Sequence, residues 1–205
     1  MIDTILLDMG NVLLRFDPAL FLDRIGITGA DRELLIRSVF RSVQWVCMDR
    51  GTLDEPQAER AICANLPQHL HPAVHQLVSC WDMPLLPTPD MEPLVAELHQ
   101  LGYKLYLLSN ASRRQRAYWP RLPVSRYFDG TFLSAEAGVM KPQPEFFQQA
   151  LAHFRLAPKA CFFVDDVPAN VEAAQFCGIQ GAVFHGDAAL LRQQLRAAGI
   201  PVSLK

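Results

Sequence analysis

Hydrophobic and polar positions follow two different patterns along the chain. Residues 2–7 form a short, largely apolar and β-branched run that meets Gly10-Asn11, which predicts a buried strand entering a tight loop. Residues 18–25 read as a helix, with Pro18 at a tolerated first-turn position. From Asp31 to about Asp82 the apolar residues recur at helical spacing, beginning with Leu34, Leu35, Val39 and Val46. Arg50-Gly51-Thr52 breaks that pattern. Asp54 is placed to cap a helix over residues 55–65, and another is predicted over 72–81. Nothing in this stretch reads as a strand, so it predicts an all-helical insert.

Pro84, Pro87 and Pro89 predict a hinge, and beyond them strands and helices alternate. Helices are expected over residues 91–101, 113–119, 144–154, 169–176 and 188–198. Strands are expected over 104–108, 128–133, 161–164 and 181–184. Such alternation predicts an α/β fold: a Rossmann-like, mainly parallel sheet with helices on both faces, plus a small helical bundle. The expected division is a core of residues 1–16 and 83–205, with a helical module over 17–82.

The chain's 205 residues suit one core domain carrying an inserted module. A net charge of −2 offers no basic excess, so no nucleic-acid partner is expected. The five cysteines are odd in number and include no C-x-x-C pair, which predicts reduced thiols rather than a disulfide framework. No segment reads as a signal peptide, and none approaches the roughly 20 apolar residues of a membrane span. A cytoplasmic protein with no membrane partner is therefore expected.

Open α/β sheets bind ligands beyond the carboxyl ends of their strands. Asp8, Gly10 and Asn11 follow the first predicted strand; Ser109 and Asn110 follow the second; Asp165 and Asp166 follow the 161–164 strand. Lys141 lies in the long loop after the short 128–133 strand. Carboxylates brought together repel unless a cation neutralises them, and an all-oxygen donor set suits the magnesium ion, Mg²⁺. A carboxylate can attack phosphorus, while a lysine and a metal offset charge and a Ser–Asn pair hydrogen-bonds phosphate oxygens. Each residue alone has an ordinary reading: Asp8 as a turn former, Ser109-Asn110 as loop chemistry, Lys141 as a surface charge. Only their joint occurrence, in this order, points to phosphoryl transfer.

The four segments Ile5-Leu6-Leu7-Asp8-Met9-Gly10-Asn11-Val12, Leu107-Leu108-Ser109-Asn110, Gly138-Val139-Met140-Lys141-Pro142 and Phe163-Val164-Asp165-Asp166 resemble the four motifs of the haloacid dehalogenase-like hydrolases. The resemblance covers nearly the whole chain. It implies a Mg²⁺-dependent phosphatase in which Asp8 is the nucleophile and forms an aspartyl-phosphate. Metal ligands would be Asp8, the Gly10 carbonyl and Asp166, with Asp165 acting through a metal-bound water. Ser109, Asn110 and Asn11 would contact phosphate or substrate. Lys141 would bridge Asp8 and phosphate, and Asn170 would support the last motif. The insert would be a cap, with Trp45, Met48 and Arg50 as specificity candidates.

One position departs from the pattern. Most phosphatases of this family carry a second Asp two residues after the nucleophile, as general acid and base; here that position is Gly10. The Asp-x-Gly-Asn-Val wording resembles a subgroup containing bacterial sugar-1-phosphate phosphatases of the α-glucose-1-phosphate phosphatase type. The expected partner is a small-molecule phosphate ester such as a hexose 1-phosphate. The alternatives are a 2-haloacid dehalogenase, or a weakly catalytic binding or regulatory member of the family. His71 and His75, at i and i+4 with His69 nearby, could face a metal, but a solvated helix face is the plainer reading. Arg113, Arg114 and Arg116 include a candidate contact for a substrate anion, against the plainer reading of solvated charges.

Overall fold

The computed structural model describes residues 1–82 and 85–204. Five parallel strands pair in the order β3-β2-β1-β4-β5: β1 (Thr4–Leu7), β2 (Lys104–Ser109), β3 (Gly130–Leu133), β4 (Cys161–Asp165) and β5 (Gln180–Val183). Alternate side chains of the central strands enter two separate apolar layers. Ile5, Leu7, Leu107 and Val164 pack on the side of α6 (Met91–Gln100) and α11 (Ala188–Ala197). Leu6, Leu108 and Phe163 pack on the side of α9 (Pro144–Phe154) and α10 (Pro168–Phe176). Burial on both faces explains why these strands read as unbroken apolar runs. The expected parallel sheet with helices on both faces is the observed one. Strand order reverses at β1, so the carboxyl ends of β1, β2 and β4 lie side by side at a topological switch point.

Between β1 and α6 the described residues from 17 to 82 form helices and turns only. They are α1 (Pro18–Arg24), α2 (Gly29–Leu35), a π-helical turn (Ile36–Phe40), α3 (Val43–Arg50), α4 (Glu55–Cys63), a short 3₁₀ turn and α5 (His71–Ser79). Ser42 caps α3 by accepting the Trp45 N–H at 3.1 Å. Asp54 and Gln57 cap α4 reciprocally. Gly51 ends α3 at φ 79°, the left-handed conformation that a glycine adopts without strain. Leu35, Val39, Ile62 and Leu77 of this helical segment are continuous with the apolar layer that holds Ile5 and Leu7.

Two predicted elements are shorter than expected. The helix expected over 113–119 is a single turn, α7 (Gln115–Tyr118), followed by a 3₁₀ turn over Trp119–Arg121. Pro120 lacks an N–H and would clash one turn back in a continuing α-helix. The strand expected from residue 128 starts at Gly130, because the Asp129 carboxylate accepts the Leu105 N–H at 2.8 Å in place of a ladder bond. Pro84 of the expected hinge, and Met83 at the expected start of the second core segment, lie outside the described residues. All five cysteines are unpaired thiols. Among the described residues no helix is long and apolar enough to cross a membrane.

Candidate active site

Asp8 follows β1 directly, its N–H bonded to the Val164 carbonyl of β4 at 2.9 Å. Asp165 ends β4, fully buried, and Asp166 follows it. Ser109 ends β2, also buried. Lys141 arrives from the loop between α8 (Ser134–Ala137) and α9, and is 3% exposed. Its Nζ donates to Asp8 Oδ1 at 2.7 Å, Asp165 Oδ2 at 2.6 Å and the Leu108 carbonyl at 2.9 Å. An ammonium has three donors, and all three are used. A buried charge persists only when so paired. Burial alone would push the Lys141 ammonium down, yet Asp8 and Asp165 together raise it. Burial pushes the Asp8 carboxyl up to about 7, with Lys141 opposing the rise and Asp165 adding to it.

Asp8, Asp165 and Asp166 each present an oxygen, all within 4.8 Å of one another. Three acids thus face one ammonium. Burial raises the Asp166 carboxyl, against hydrogen bonds from the Asn11 amide, 3.2 Å away, and from its own backbone N–H. An excess of negative charge on hard oxygen donors fits a divalent cation such as Mg²⁺. Asn170 and the Val167 N–H donate to Asp165 Oδ1 at 2.9 and 2.8 Å, which fixes that carboxylate on the first turn of α10. Gly10 lies in the same loop, lining the cleft beside Asp8.

Two residues expected at the phosphate also brace the surrounding loops. Asn110 accepts the Lys141 N–H and donates to the Lys141 carbonyl, both at 2.9 Å. Its amide therefore holds the lysine loop and keeps one N–H in reserve. Asn11, at φ 53°, donates to Asp166 and accepts the Phe16 N–H at 3.0 Å. Both ends of its amide brace the loop that follows β1. Ser109 does line the cleft.

That cleft encloses about 240 Å³ above Asp8. One wall is aromatic: Phe16 lies against Trp81 and Trp45 at centroid distances of 5.1 and 5.7 Å, and Trp81 against Tyr118 at 5.2 Å. Trp45 is the one specificity candidate that reaches it. Met48 is buried and faces a separate cleft of about 370 Å³ beside Glu55 and Arg114. Arg50 is exposed and points to the Met140 sulfur. Trp45 and Asp49 are i and i+4 and both line the cleft, whereas Arg50, at i+5 from Trp45, is turned off that face. Asp49 lines the cleft and was not among the expected residues; its spacing from Trp45 was the available signal.

Of the three candidate arginines two are paired, and Arg113 borders the separate cleft beside Met48. Arg114 donates to Asp82 at 2.6 Å, Arg121 binds the other oxygen of that buried carboxylate, and Arg116 pairs with Glu136. His69, His71 and His75 face Asp31, the Leu66 carbonyl and Glu59 separately, so they do not converge on a metal.

Fold and site together define a hydrolase built on a Rossmann-like sheet, with an acidic centre around a buried lysine. The chain belongs to the haloacid dehalogenase-like hydrolase family, whose model matches residues 2–178. It is 28% identical to flavin mononucleotide hydrolase 1 of Arabidopsis thaliana over 78% of this chain, spanning 64% of that protein's length. It is 27% identical to the sesquiterpene phosphatase astK of Aspergillus oryzae over 85% of each. A Bacteroides thetaiotaomicron enzyme of the same family, solved with magnesium and inorganic phosphate, superposes with a TM-score of 0.70 at 22% identity. That match covers 93% of this chain and 99% of the other, and establishes a common fold.

Proposed function

We propose that this protein is a Mg²⁺-dependent phosphatase that hydrolyses a small phosphorylated metabolite through an aspartyl-phosphate on Asp8. The observation that carries the reading is the buried Lys141 ammonium held between Asp8 and Asp165, with Asp166 completing a three-carboxylate group. The oxygen donors fit magnesium, and Asp8, Asp166 and the Gly10 carbonyl would hold it. When bound, the ion supplies positive charge to the phosphoryl oxygens next to the nucleophile.

The chain's own residues do the rest. Lys141 fixes the Asp8 carboxylate through Oδ1 and keeps its proton throughout. An Asp8 oxygen bonds to phosphorus as the ester oxygen leaves; water then releases inorganic phosphate and restores the carboxylate. Ser109 offers its hydroxyl to a phosphoryl oxygen, and Asn110 acts through the Lys141 backbone. Residues 17–82 serve as a cap over a core of 1–16 and 83–205, and the aromatic wall excludes water and packs the leaving group. Ring faces suit a sugar as well as flatter apolar groups, so a hexose 1-phosphate remains our first candidate. Relatives named as a flavin mononucleotide hydrolase and a sesquiterpene phosphatase support a small-molecule phosphate ester. Five unpaired thiols support a reducing, cytoplasmic setting.

The test is phosphate release from a panel of small esters, hexose 1-phosphates included, with Mg²⁺ or EDTA and with Asp8→Asn. Metal-dependent turnover that the variant abolishes is expected. Release unaffected by Asp8→Asn, or chloride release from 2-haloacids in place of phosphate release, would overturn the reading.

A further inference from the structure

The proposed reaction has a vacancy in its proton inventory. The departing alcohol needs a proton, and position 10, two residues past Asp8, is glycine. The structure brings a different carboxyl to the same cleft. Asp49, near the end of α3, lines it together with Asp8, Lys141 and Ser109.

We propose that Asp49 is the general acid–base of this phosphatase, protonating the leaving oxygen and then deprotonating the water that cleaves the Asp8 phosphoryl group. The proposal rests on the phosphatase reading above. In the first half, an Asp8 oxygen bonds to phosphorus, the ester P–O bond breaks, and the alcohol oxygen takes the Asp49 proton. In the second, water gives a proton to the Asp49 carboxylate as its oxygen bonds to phosphorus. The bond from phosphorus to Asp8 then breaks, and both acids return to their starting forms.

Three observations carry it. First, Asp49 is held against the phosphate side of the cleft. The Ser134 hydroxyl donates to the Asp49 carbonyl and accepts the Ala111 N–H at 3.0 Å, just past Ser109 and Asn110. Second, among the described residues no lysine or arginine pairs with the Asp49 carboxyl. The contrast is Asp82, the more deeply buried of the two, whose two oxygens are taken by Arg114 and Arg121. Third, its neighbours favour a proton donor at neutral pH: burial pushes the Asp49 carboxyl up to about 8, against hydrogen bonds from the Ser112 backbone and the Trp45 side chain. Asp8, Asp166 and Lys141 face it across the cleft, and Tyr118 faces it from α7 with the Asp82–Arg114 pair behind.

The experiment compares kcat/KM of the full chain with Mg²⁺ on two esters of similar size, 4-nitrophenyl phosphate and phenyl phosphate. The first leaving group departs without help; the second needs a proton. With Asp49→Asn, phenyl phosphate hydrolysis is expected to fall by about 10²–10⁴-fold, and 4-nitrophenyl phosphate by less than about 10-fold. The wild-type fall in phenyl phosphate kcat/KM above about pH 8 should vanish in the variant. Asp49→Glu, which keeps a proton donor, should recover part of the phenyl phosphate rate. Equal losses on both esters in Asp49→Asn, with no recovery in Asp49→Glu, would overturn the acid role while Asp8-dependent turnover left the phosphatase reading intact. Turnover of neither ester that depends on Asp8 would overturn that reading, and the acid role with it.

Discussion

Gly51 passes so close to Ala135 that a Cβ built on it would stand 2.1 Å from the Ala135 carbonyl oxygen. This is the point where the end of α3 meets α8, two residues past Asp49. Gly51→Ala must push backbone from backbone and also adopt φ 79°. We expect it to lower stability by about 1–3 kcal/mol, as overpacking does, and to lower turnover by displacing Asp49 and Trp45. Urea unfolding beside steady-state kinetics checks this; an unchanged kcat would mean that α3 need not sit against α8.

Asn110→Ala removes the two hydrogen bonds that this side chain makes to the Lys141 backbone. Its expected signature is a lower kcat, a stability loss of about 1–3 kcal/mol, and an unchanged inhibition constant for inorganic phosphate. A weakened inhibition constant with stability intact would return Asn110 to the phosphate.

Lys141→Met leaves Asp8 and Asp165 buried without their cation. Removing one partner of a buried pair costs about 3–5 kcal/mol. Thermal melts should also show Mg²⁺ stabilising wild type, by about 2.7 kcal/mol at 100 times its dissociation constant. Asp166→Asn should lose most of that metal-induced shift. A full shift in Asp166→Asn would place the ion elsewhere.

The Asp49 carboxyl also predicts a pH dependence of stability. It is raised from 3.8 to about 8 in the folded chain, so the folded state holds a proton that the unfolded state releases. That contribution is complete below about pH 4 and is lost as pH rises through 8. Urea melts at pH 6 and pH 9 should therefore differ more for wild type than for Asp49→Asn. Identical pH slopes would show that Asp49 ionises normally.

The sheet was legible because its strands are buried on both faces and are bounded by glycine, proline or acidic turns. The helices 144–154 and 188–198 were legible because caps and proline mark their ends. Asp8, Ser109, Lys141 and Asp165 could be read because each follows a strand or sits in a marked loop. What sequence could not supply was the direction in which side chains are used. Asn110 bonds twice to the Lys141 backbone, and Asn11 bonds the Asp166 carboxylate and the Phe16 N–H, partners fixed by loop geometry. On α3, Trp45 is a candidate through the family resemblance, whereas Asp49, an acid at helical spacing, reads equally well as a solvated charge. Its carboxyl reaches the cleft only through the docking of α3 on α8, 85 residues further along the chain from Asp49 to Ser134.

The aromatic wall also gives the protein a built-in optical gauge. Of the chain's three tryptophans, Trp45 and Trp81 border the cleft, while Trp119 packs away from it against Phe128. A molecule settling beside Asp8 would alter the emission of two indoles and spare the third. Occupancy can thus be followed in unlabelled protein by the light it emits, even for a ligand that is never turned over.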